Sequence, residues 1–254
     1  MCVPISTAPR RPRPPGKRPS APGFRSPRFG RRPRRRPANP AGLTARRSRP
    51  GGALPADPPF VLVVAGPNGS GKTTLTNQLR ADGVDLGRYI NPDDIARTLT
   101  GDYADRVRRA QAEADAIRAA CIEAGESFSF ETFMSHPSKV ELMRQARLRG
   151  FRVALYFVAT ESVELNIARV KQRVLLGGHD VPEDRIRARY ARTLALLPDA
   201  MAEAHRVVLF DNSYGEAAVL RPFYEGFGAH GAIMIPPIPD WAEIALRPWR
   251  PDRA

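Results

Sequence analysis

The sequence predicts an α/β fold, in which a parallel sheet of about five strands is flanked by helices. Short apolar runs typical of buried strands alternate along the chain with longer segments of helical periodicity. Such alternation predicts parallel strands joined by helical crossovers. The first apolar run, residues 60–65, also leads directly into a glycine-rich loop that opens a helix.

That loop runs from Gly66 to Thr73 and fits the pattern Gly-x-x-x-x-Gly-Lys-Thr, which in a strand–loop–helix context is the phosphate-binding P-loop. Glycines let backbone N–H groups converge on one phosphate, and the helix that follows favours an anion at its N-terminus. Lys72 would reach the β- and γ-phosphates, and the Thr73 hydroxyl would bind Mg²⁺. The predicted fold is therefore that of a P-loop NTPase or kinase, with ATP and Mg²⁺ as cofactors. The predicted nucleotide-binding residues of the loop are Gly66, Asn68, Gly69, Ser70, Gly71, Lys72, Thr73 and Thr74.

The elements after the loop follow from periodicity and from helix start and stop residues. Leu75 and Leu79 mark the first helix, residues 88–90 a brief strand, and Pro92 a helix start. A stripe from Val107 to Ala124 predicts a long helix over residues 103–124, which Gly125 ends. The predicted later elements are a strand at 127–131, a helix at 137–149, a strand at 151–158, helices at 163–174 and 182–197, and a strand at 206–210.

Charge and proline content divide the chain into three parts. Residues 1–55 hold fifteen Arg and Lys, no Asp or Glu, and thirteen of the 26 prolines. The charge of this segment is therefore +15, and the net charge of +14 leaves 14 − 15 = −1 for residues 56–254. Such a segment buries too little apolar surface to fold, and we predict a disordered basic tail. It is either a nucleic-acid-binding arm or a segment without function, such as an upstream frame translated from a misassigned start. The kinase domain is predicted at 56–225 and a C-terminal appendage at 226–254.

Several acidic residues follow predicted strands, and ligands of parallel sheets bind at the carboxyl ends of strands. Asp93 is placed to accept a proton from an acceptor hydroxyl, with Asp94 as its rival and a dipole-stabilising role as the alternative for both. Glu131 ends the strand at 127–131. Asp211 could hold Mg²⁺ through water. We rank this prediction below a second one, that Asn212 and Ser213 lie near the adenine of the bound nucleotide.

Basic residues supply candidates for neutralising the transferred phosphoryl group. Arg169 and Arg173 are four residues apart on one predicted helix face, so both could stabilise that charge, the alternative being a solvated face. Arg187, Arg189 and Arg192 are further candidates. The glycines before His179 suggest the hinge of a lid, and His179 is a candidate substrate contact.

In order along the chain, five motifs make residues 58–215 resemble the zeta toxin family of P-loop kinases. They are Gly66-Pro-Asn-Gly-Ser-Gly-Lys-Thr-Thr74, Ile90-Asn-Pro-Asp-Asp94, Ser129-Phe-Glu-Thr132, Gly177-Gly-His-Asp-Val-Pro182 with Arg187-x-Arg-Tyr190, and Leu209-Phe-Asp-Asn-Ser213. The resemblance implies phosphorylation of the 3′-hydroxyl of UDP-N-acetylglucosamine with ATP and Mg²⁺, and an antitoxin partner. By position it implies that Asp93 is the catalytic base, Glu131 a substrate-binding acid and Arg173 a phosphate-stabilising arginine.

The chain departs from the family pattern in two places. Thr132-Phe-Met-Ser135-His136 stands where the toxins carry a Gly-Thr-Gly-Arg-like segment that holds substrate, and His179 stands where the lid carries a second arginine. A neutral imidazole stabilises phosphoryl charge less than a guanidinium does. The acceptor is therefore open, and we expect Glu131, Thr132, Ser135 and His136 to line its pocket.

The predicted function is ATP-dependent transfer of phosphate to a hydroxyl of a small molecule. The alternative is a regulatory module that hydrolyses ATP slowly and binds nucleic acid through its basic tail. The sequence has two cysteines and no apolar run long enough to span a membrane, so we expect a soluble, cytoplasmic protein. The absence of an Asn-Lys-x-Asp motif argues against a GTPase.

Overall fold

A computed structural model describes residues 57–178, 180–214, 220–227 and 232–247; the predicted tail and His179 lie outside these residues. The strands described are β1 (Phe60–Ala65), β2 (Arg88–Ile90), β3 (Phe128–Thr132), β4 (Arg152–Ala159), β5 (Arg206–Asp211), β6 (Pro222–Gly226) and β7 (Ala232–Met234). The helices described are α1 (Lys72–Ala81), α2 (Pro92–Thr98), α3 (Tyr103–Ala124), α4 (Ser138–Leu148), α5 (Val163–Leu175), α6 (Glu183–Ala195), α7 (Leu197–Glu203) and α8 (Asp240–Leu246).

The described strands form one sheet in the order β2-β3-β1-β4-β5-β6-β7. The first five are parallel, which confirms the predicted α/β fold and its central sheet. β6 and β7 extend the sheet in antiparallel fashion beyond β5. The boundary predicted between residues 225 and 226 falls inside β6, and Trp241 and Leu246 of α8 belong to the main hydrophobic core.

The two faces of the sheet have separate cores. On one face Leu75 and Leu79 of α1 pack against alternate residues of β1 and β4. The opposite face is covered by α3, α4, α7 and α8, with Met143 and Met201 among its fully buried side chains. Burying side chains of this size contributes about 1.5–3 kcal/mol each, so the helices hold the strand ends in place. None of the helices in the described ranges is both long and apolar enough to cross a membrane.

The buried face of α3 differs from the predicted stripe. Val107 is 41% exposed, whereas Arg118, one turn beyond Ala114, is 1% exposed. The guanidinium of Arg118 lies 4.9 Å from the centre of the Phe130 ring and 2.5 Å from the Asp115 carboxylate. Its charge is therefore compensated locally, which allows an arginine to occupy an interior position that an apolar stripe does not predict.

Helices α5 and α6 form a pair with a small core of its own, centred on Ile167, Val170 and Ile186. Two hydrogen bonds tie α6 to the carboxyl edge of the sheet. The Tyr190 hydroxyl donates to the Thr160 carbonyl after β4 (2.7 Å), and the Thr193 hydroxyl donates to a carbonyl in the loop after β3 (2.6 Å). Helix α6 therefore crosses above the ends of the strands that carry the predicted site.

Candidate active site

The P-loop connects β1 to α1, and its glycines are required by its conformation. Gly69 and Gly71 have φ angles of +73° and +105°. A Cβ atom on Gly69 would lie 2.6 Å from the Asn166 carbonyl oxygen, and one on Gly71 would lie 2.5 Å from Asn212 Nδ2. The loop is thus pressed between α5 and the residue after β5, which leaves the N-terminus of α1 open to a phosphate.

Lys72 stands at the centre of the site. Its ammonium donates to the carbonyl oxygens of Gly66 (3.0 Å) and Pro67 (2.8 Å), and the residue is 9% exposed. Burial lowers the pKa of Lys72 from 10.5 to about 8; the charges of Glu131 and Asp93 oppose this shift, and those of Arg173 and Arg189 add to it. The predicted phosphate-binding lysine therefore shares its surroundings with two acids and two arginines.

The lowered pKa gives a testable pH dependence for ATP binding. Only the charged amine attracts phosphate, and bound ATP raises the pKa of Lys72, so binding above pH 8 takes up a proton. We expect the Kd for ATP to rise roughly tenfold between pH 7 and pH 9, as the free amine loses its proton. Lys72→Arg, which stays charged, should remove this dependence. Calorimetric titration from pH 7 to 9.5 measures it, and a constant Kd for the wild-type protein would refute it.

The carboxylate of Glu131, at the end of β3, faces α1. It accepts hydrogen bonds from the hydroxyls of Thr73 (3.0 Å), Thr76 (2.7 Å) and Tyr89 (2.9 Å). β3 lies directly beside β1, which places Glu131 against the predicted Mg²⁺ ligand Thr73. Carboxylate and hydroxyl oxygens are suitable Mg²⁺ ligands, so the pair fits a metal at this position.

Asp93 and Asp94 begin α2 but have different surroundings. Asn91 caps the helix by accepting a hydrogen bond from the Asp93 backbone N–H (3.0 Å). Asp94 pairs with Arg97 at 2.6 Å. The Asp93 carboxylate is exposed, has no hydrogen bond to the described residues and interacts electrostatically with Lys72. Of the two rivals, Asp93 is the one whose carboxylate has no ion pair among the described residues.

The two arginines of α5 diverge. Arg173 is close enough to Lys72 to lower its pKa. Arg169 lies instead beside Asp211: burial lowers the pKa of its guanidinium, and the Asp211 charge opposes that shift. Four residues span about 6 Å along a helix. The two residues accordingly interact with different groups, Arg169 with Asp211 at the end of β5 and Arg173 with Lys72.

Residues after β5 hold the other side of the P-loop. Asn212 Nδ2 donates to the Ser70 carbonyl (2.8 Å), so the predicted adenine-side residue contacts the loop directly. The Asp211 carboxylate accepts hydrogen bonds from the Ser213 hydroxyl (2.7 Å) and Trp241 Nε1 (3.0 Å). Asp211 therefore serves the packing of α8, and Glu131 is the acid beside Thr73.

The segment after β3 holds the residues predicted to line the acceptor pocket. Thr132 accepts a hydrogen bond at its hydroxyl from the Met134 backbone N–H (3.0 Å), and His136 Nδ1 accepts one from the Ser138 N–H (3.2 Å) at the start of α4. Ser135 is partly buried and His136 is exposed. Both Thr132 and His136 thus have structural hydrogen-bond partners.

Sequence reasoning missed Phe133 and gave Arg189 only as a further candidate. Lys72 Nζ lies 4.7 Å and the Arg189 guanidinium 4.9 Å from the centre of the Phe133 ring. Arg187, an equal candidate in the sequence, instead pairs with Glu164 (2.6 Å) and Glu183 (2.8 Å). An aromatic residue directly after the strand-end acid was the available signal for Phe133.

The sequence model of the family described as Zeta toxin matches residues 52–216, more than half of the chain. A protein of Haemophilus influenzae, described as uncharacterized, is 34% identical over 131 residues, which are 49% of this chain and 88% of that protein. The family match includes the whole P-loop, and the match to the Haemophilus influenzae protein extends over most of that relative.

Two solved structures share the fold. Crystal structures of AvrRxo1-ORF1:AvrRxo1-ORF2 with sulphate ions and with ATP align with TM-scores of 0.55 and 0.54, at 15% and 16% identity. Each alignment covers 78% of this chain and 66% of the solved chain, so the chain spans just under two thirds of those proteins. At this identity the likeness concerns the fold alone.

Proposed function

The chain belongs to the zeta toxin family, and we propose that it is an ATP-dependent kinase that phosphorylates a hydroxyl group of a small molecule. The observation that carries this proposal is that the charges of Asp93, Glu131 and Arg173 all act on the P-loop lysine, Lys72, while Glu131 accepts a hydrogen bond from Thr73. A structure of the same fold was solved with ATP, which supports ATP as the phosphoryl donor.

In this proposal the P-loop holds the phosphates of ATP. The N–H groups at the start of α1 have no acceptor within the helix, and they are the donors that a phosphate would take. Lys72 would exchange the carbonyls of Gly66 and Pro67 for phosphate oxygens. Thr73 would hold Mg²⁺, and Glu131 would orient the Thr73 hydroxyl through its hydrogen bond. When bound, Mg²⁺ would supply neutralisation of phosphate charge.

Asp93 acts as the base in this mechanism. As the acceptor oxygen attacks the γ-phosphorus, the bond from that phosphorus to the β–γ bridging oxygen breaks and ADP leaves. The hydroxyl proton passes to a carboxylate oxygen of Asp93, which has no other hydrogen bond among the described residues. Arg173 would stabilise the negative charge on the transferred group.

The acceptor proposed first is UDP-N-acetylglucosamine. It would lie on the β2–β3 side of the P-loop, where Asp93, Thr132, Ser135 and His136 are found. His179 stays a predicted substrate contact outside the described residues. The antitoxin partner, the nucleic-acid contact through the tail and the cytoplasmic location also stay predictions.

Transfer of label from γ-³²P-ATP to a metabolite panel tests the proposal. The full chain, Mg²⁺ and ATP are incubated with nucleotide sugars headed by UDP-N-acetylglucosamine, and with free sugars and alcohols. We expect label in an acceptor, dependent on added Mg²⁺. Release of free phosphate alone, whatever acceptor is added, would contradict the kinase assignment.

A further inference from the structure

Helix α8 lies outside the part of the chain that the family model matches. That match ends at residue 216, whereas α8 spans Asp240–Leu246. The helix is nevertheless a packed part of the fold, because four of its seven residues are buried and the strands that precede it, β6 and β7, extend the sheet from β5. The proposed reaction assigns this helix no role, so its contacts with the end of β5 call for an explanation.

Trp241, near the start of α8, has a fixed orientation in the main core. The residue is 9% exposed, and the centre of its ring lies 5.7 Å from that of Phe157 on β4 and 5.5 Å from that of Phe223 on β6. The Phe223 ring meets the indole edge to face, at an angle of 85° between the ring planes. Aromatic pairs favour particular geometries of this kind, so the two phenylalanines determine where the indole N–H points.

The indole N–H points at the carboxylate of Asp211, the last residue of β5. Trp241 Nε1 donates to Asp211 Oδ1 at 3.0 Å, and the Ser213 hydroxyl donates to the same oxygen at 2.7 Å. Ser213 Oγ in turn accepts a hydrogen bond from the Glu161 backbone N–H (2.7 Å), in the loop that leads into α5. Hydrogen bonds to a carboxylate are stronger than those between neutral groups, so α8 anchors this network firmly.

Asn212 lies between the two residues of this network and holds the P-loop. Its backbone N–H donates to the Ala159 carbonyl at the end of β4, and its side-chain amide donates to the Ser70 carbonyl, both at 2.8 Å. The fit is close, because a Cβ atom on Gly71 would lie 2.5 Å from Asn212 Nδ2. A change in the backbone on either side of Asn212 would therefore displace its amide from the loop.

We infer that Trp241 is a positioning residue for nucleotide binding. Its N–H fixes Asp211, the network around Asp211 fixes Asn212, and Asn212 holds the P-loop in the conformation that receives phosphate. Helix α8 thus contributes to ATP affinity through the end of β5, although it lies outside the matched family domain. The inference rests on the proposed function for the identity of ATP as the ligand.

Trp241→Phe in the full chain separates this role from packing, since phenylalanine keeps an aromatic ring and lacks the N–H. We expect the KM for ATP to rise about fivefold, the factor that corresponds to one typical hydrogen bond. The kcat and the KM for the acceptor should change less than about twofold, because only binding of the nucleotide is weakened. The Kd for ATP, measured by calorimetry, should rise by the same factor as the KM.

Met143→Ala is the control for a loss of stability alone. Met143 is fully buried in the same core as Trp241, on α4, and its truncation leaves a cavity without removing any member of the network. Both variants should lower the melting temperature, but only Trp241→Phe should raise the Kd for ATP. An equal rise in both variants, or no rise in Trp241→Phe, would overturn the inference.

The route through Asn212 is tested by combining variants. Asn212→Ala removes the hydrogen bond to the Ser70 carbonyl and should itself weaken ATP binding. Adding Trp241→Phe should then raise the Kd less than about twofold further, because residues that act through one shared contact have non-additive effects. A second fivefold rise in the double variant would show that Trp241 does not act through Asn212, and would contradict the inference.

Hydrogen exchange of the protein without nucleotide gives a measurement that does not depend on ATP. Peptides that cover residues 66–75 should exchange faster in Trp241→Phe than in the wild type, and at the wild-type rate in Met143→Ala, since the loss of an anchor permits local opening. If the wild-type protein binds no ATP, the proposed function fails, and this comparison still decides the positioning role. Unchanged exchange of the P-loop in Trp241→Phe would exclude that role.

Discussion

Asp93→Asn is expected to lower the rate of phosphoryl transfer about 10³-fold, within the range attributed to a general base. The amide has nearly the shape of the carboxylate but cannot take up the hydroxyl proton. ATP binding should change less than about threefold, because Asp93 has no hydrogen bond to the P-loop and is exposed at the start of α2. Rates are measured by single-turnover transfer with saturating acceptor, and the Kd for ATP by calorimetry.

Asp94→Asn is the matched control for this result. Asp94 occupies the next position of the same helix turn, but its carboxylate pairs with Arg97 at 2.6 Å. Its replacement should change the rate less than about threefold, since exposed ion pairs contribute little. If Asp94→Asn is the more damaging of the two, the base has been assigned to the wrong residue.

Glu131→Gln has the second-largest expected effect, a loss of activity of about 10²-fold, because an outer ligand that orients a metal ligand commonly contributes 10- to 100-fold. The carboxylate accepts hydrogen bonds from Thr73, Thr76 and Tyr89, and a glutamine would offer one acceptor oxygen in place of two. If the residue serves Mg²⁺, the Mg²⁺ concentration required for half-maximal activity should rise in parallel. The measurement is a Mg²⁺ titration of the transfer rate at saturating ATP and acceptor.

Tyr89→Phe provides the comparison for Glu131. It removes one of the three hydrogen bonds while leaving the carboxylate charged, so the loss should stay below about tenfold. An unchanged Mg²⁺ requirement in Glu131→Gln, with a raised KM for the acceptor, would assign Glu131 to the acceptor as the family resemblance implies.

Local patterns were sufficient to predict the central sheet. Buried parallel strands are continuous apolar runs, and the P-loop is a fixed pattern, so β1, β4, β5 and Lys72 could be identified without knowing their neighbours. β3 could be identified from the alternation of apolar and polar residues. β6 and β7 were not predicted as part of the sheet, because short antiparallel strands at its edge depend on pairing with β5, which the sequence of residues 222–234 does not encode locally.

Contacts within the site depend on strand order and helix placement. That acids gather at the strand ends follows from parallel topology, but Glu131 meets Thr73 only because β3 lies next to β1. Similarly, Phe133 and Arg189 are 56 residues apart and meet because α6 crosses above β3.

The central claim is that Asp93 activates an acceptor hydroxyl beside a P-loop that holds ATP. Phosphorus NMR of the full chain with Mg·ATP and the acceptor panel, run in parallel for wild type and Asp93→Asn, tests it most directly. A new phosphomonoester resonance that forms with wild type and is absent with Asp93→Asn is the expected result. ADP and free phosphate released at equal rates by both proteins, with no phosphomonoester, would contradict the claim and favour a regulatory ATPase.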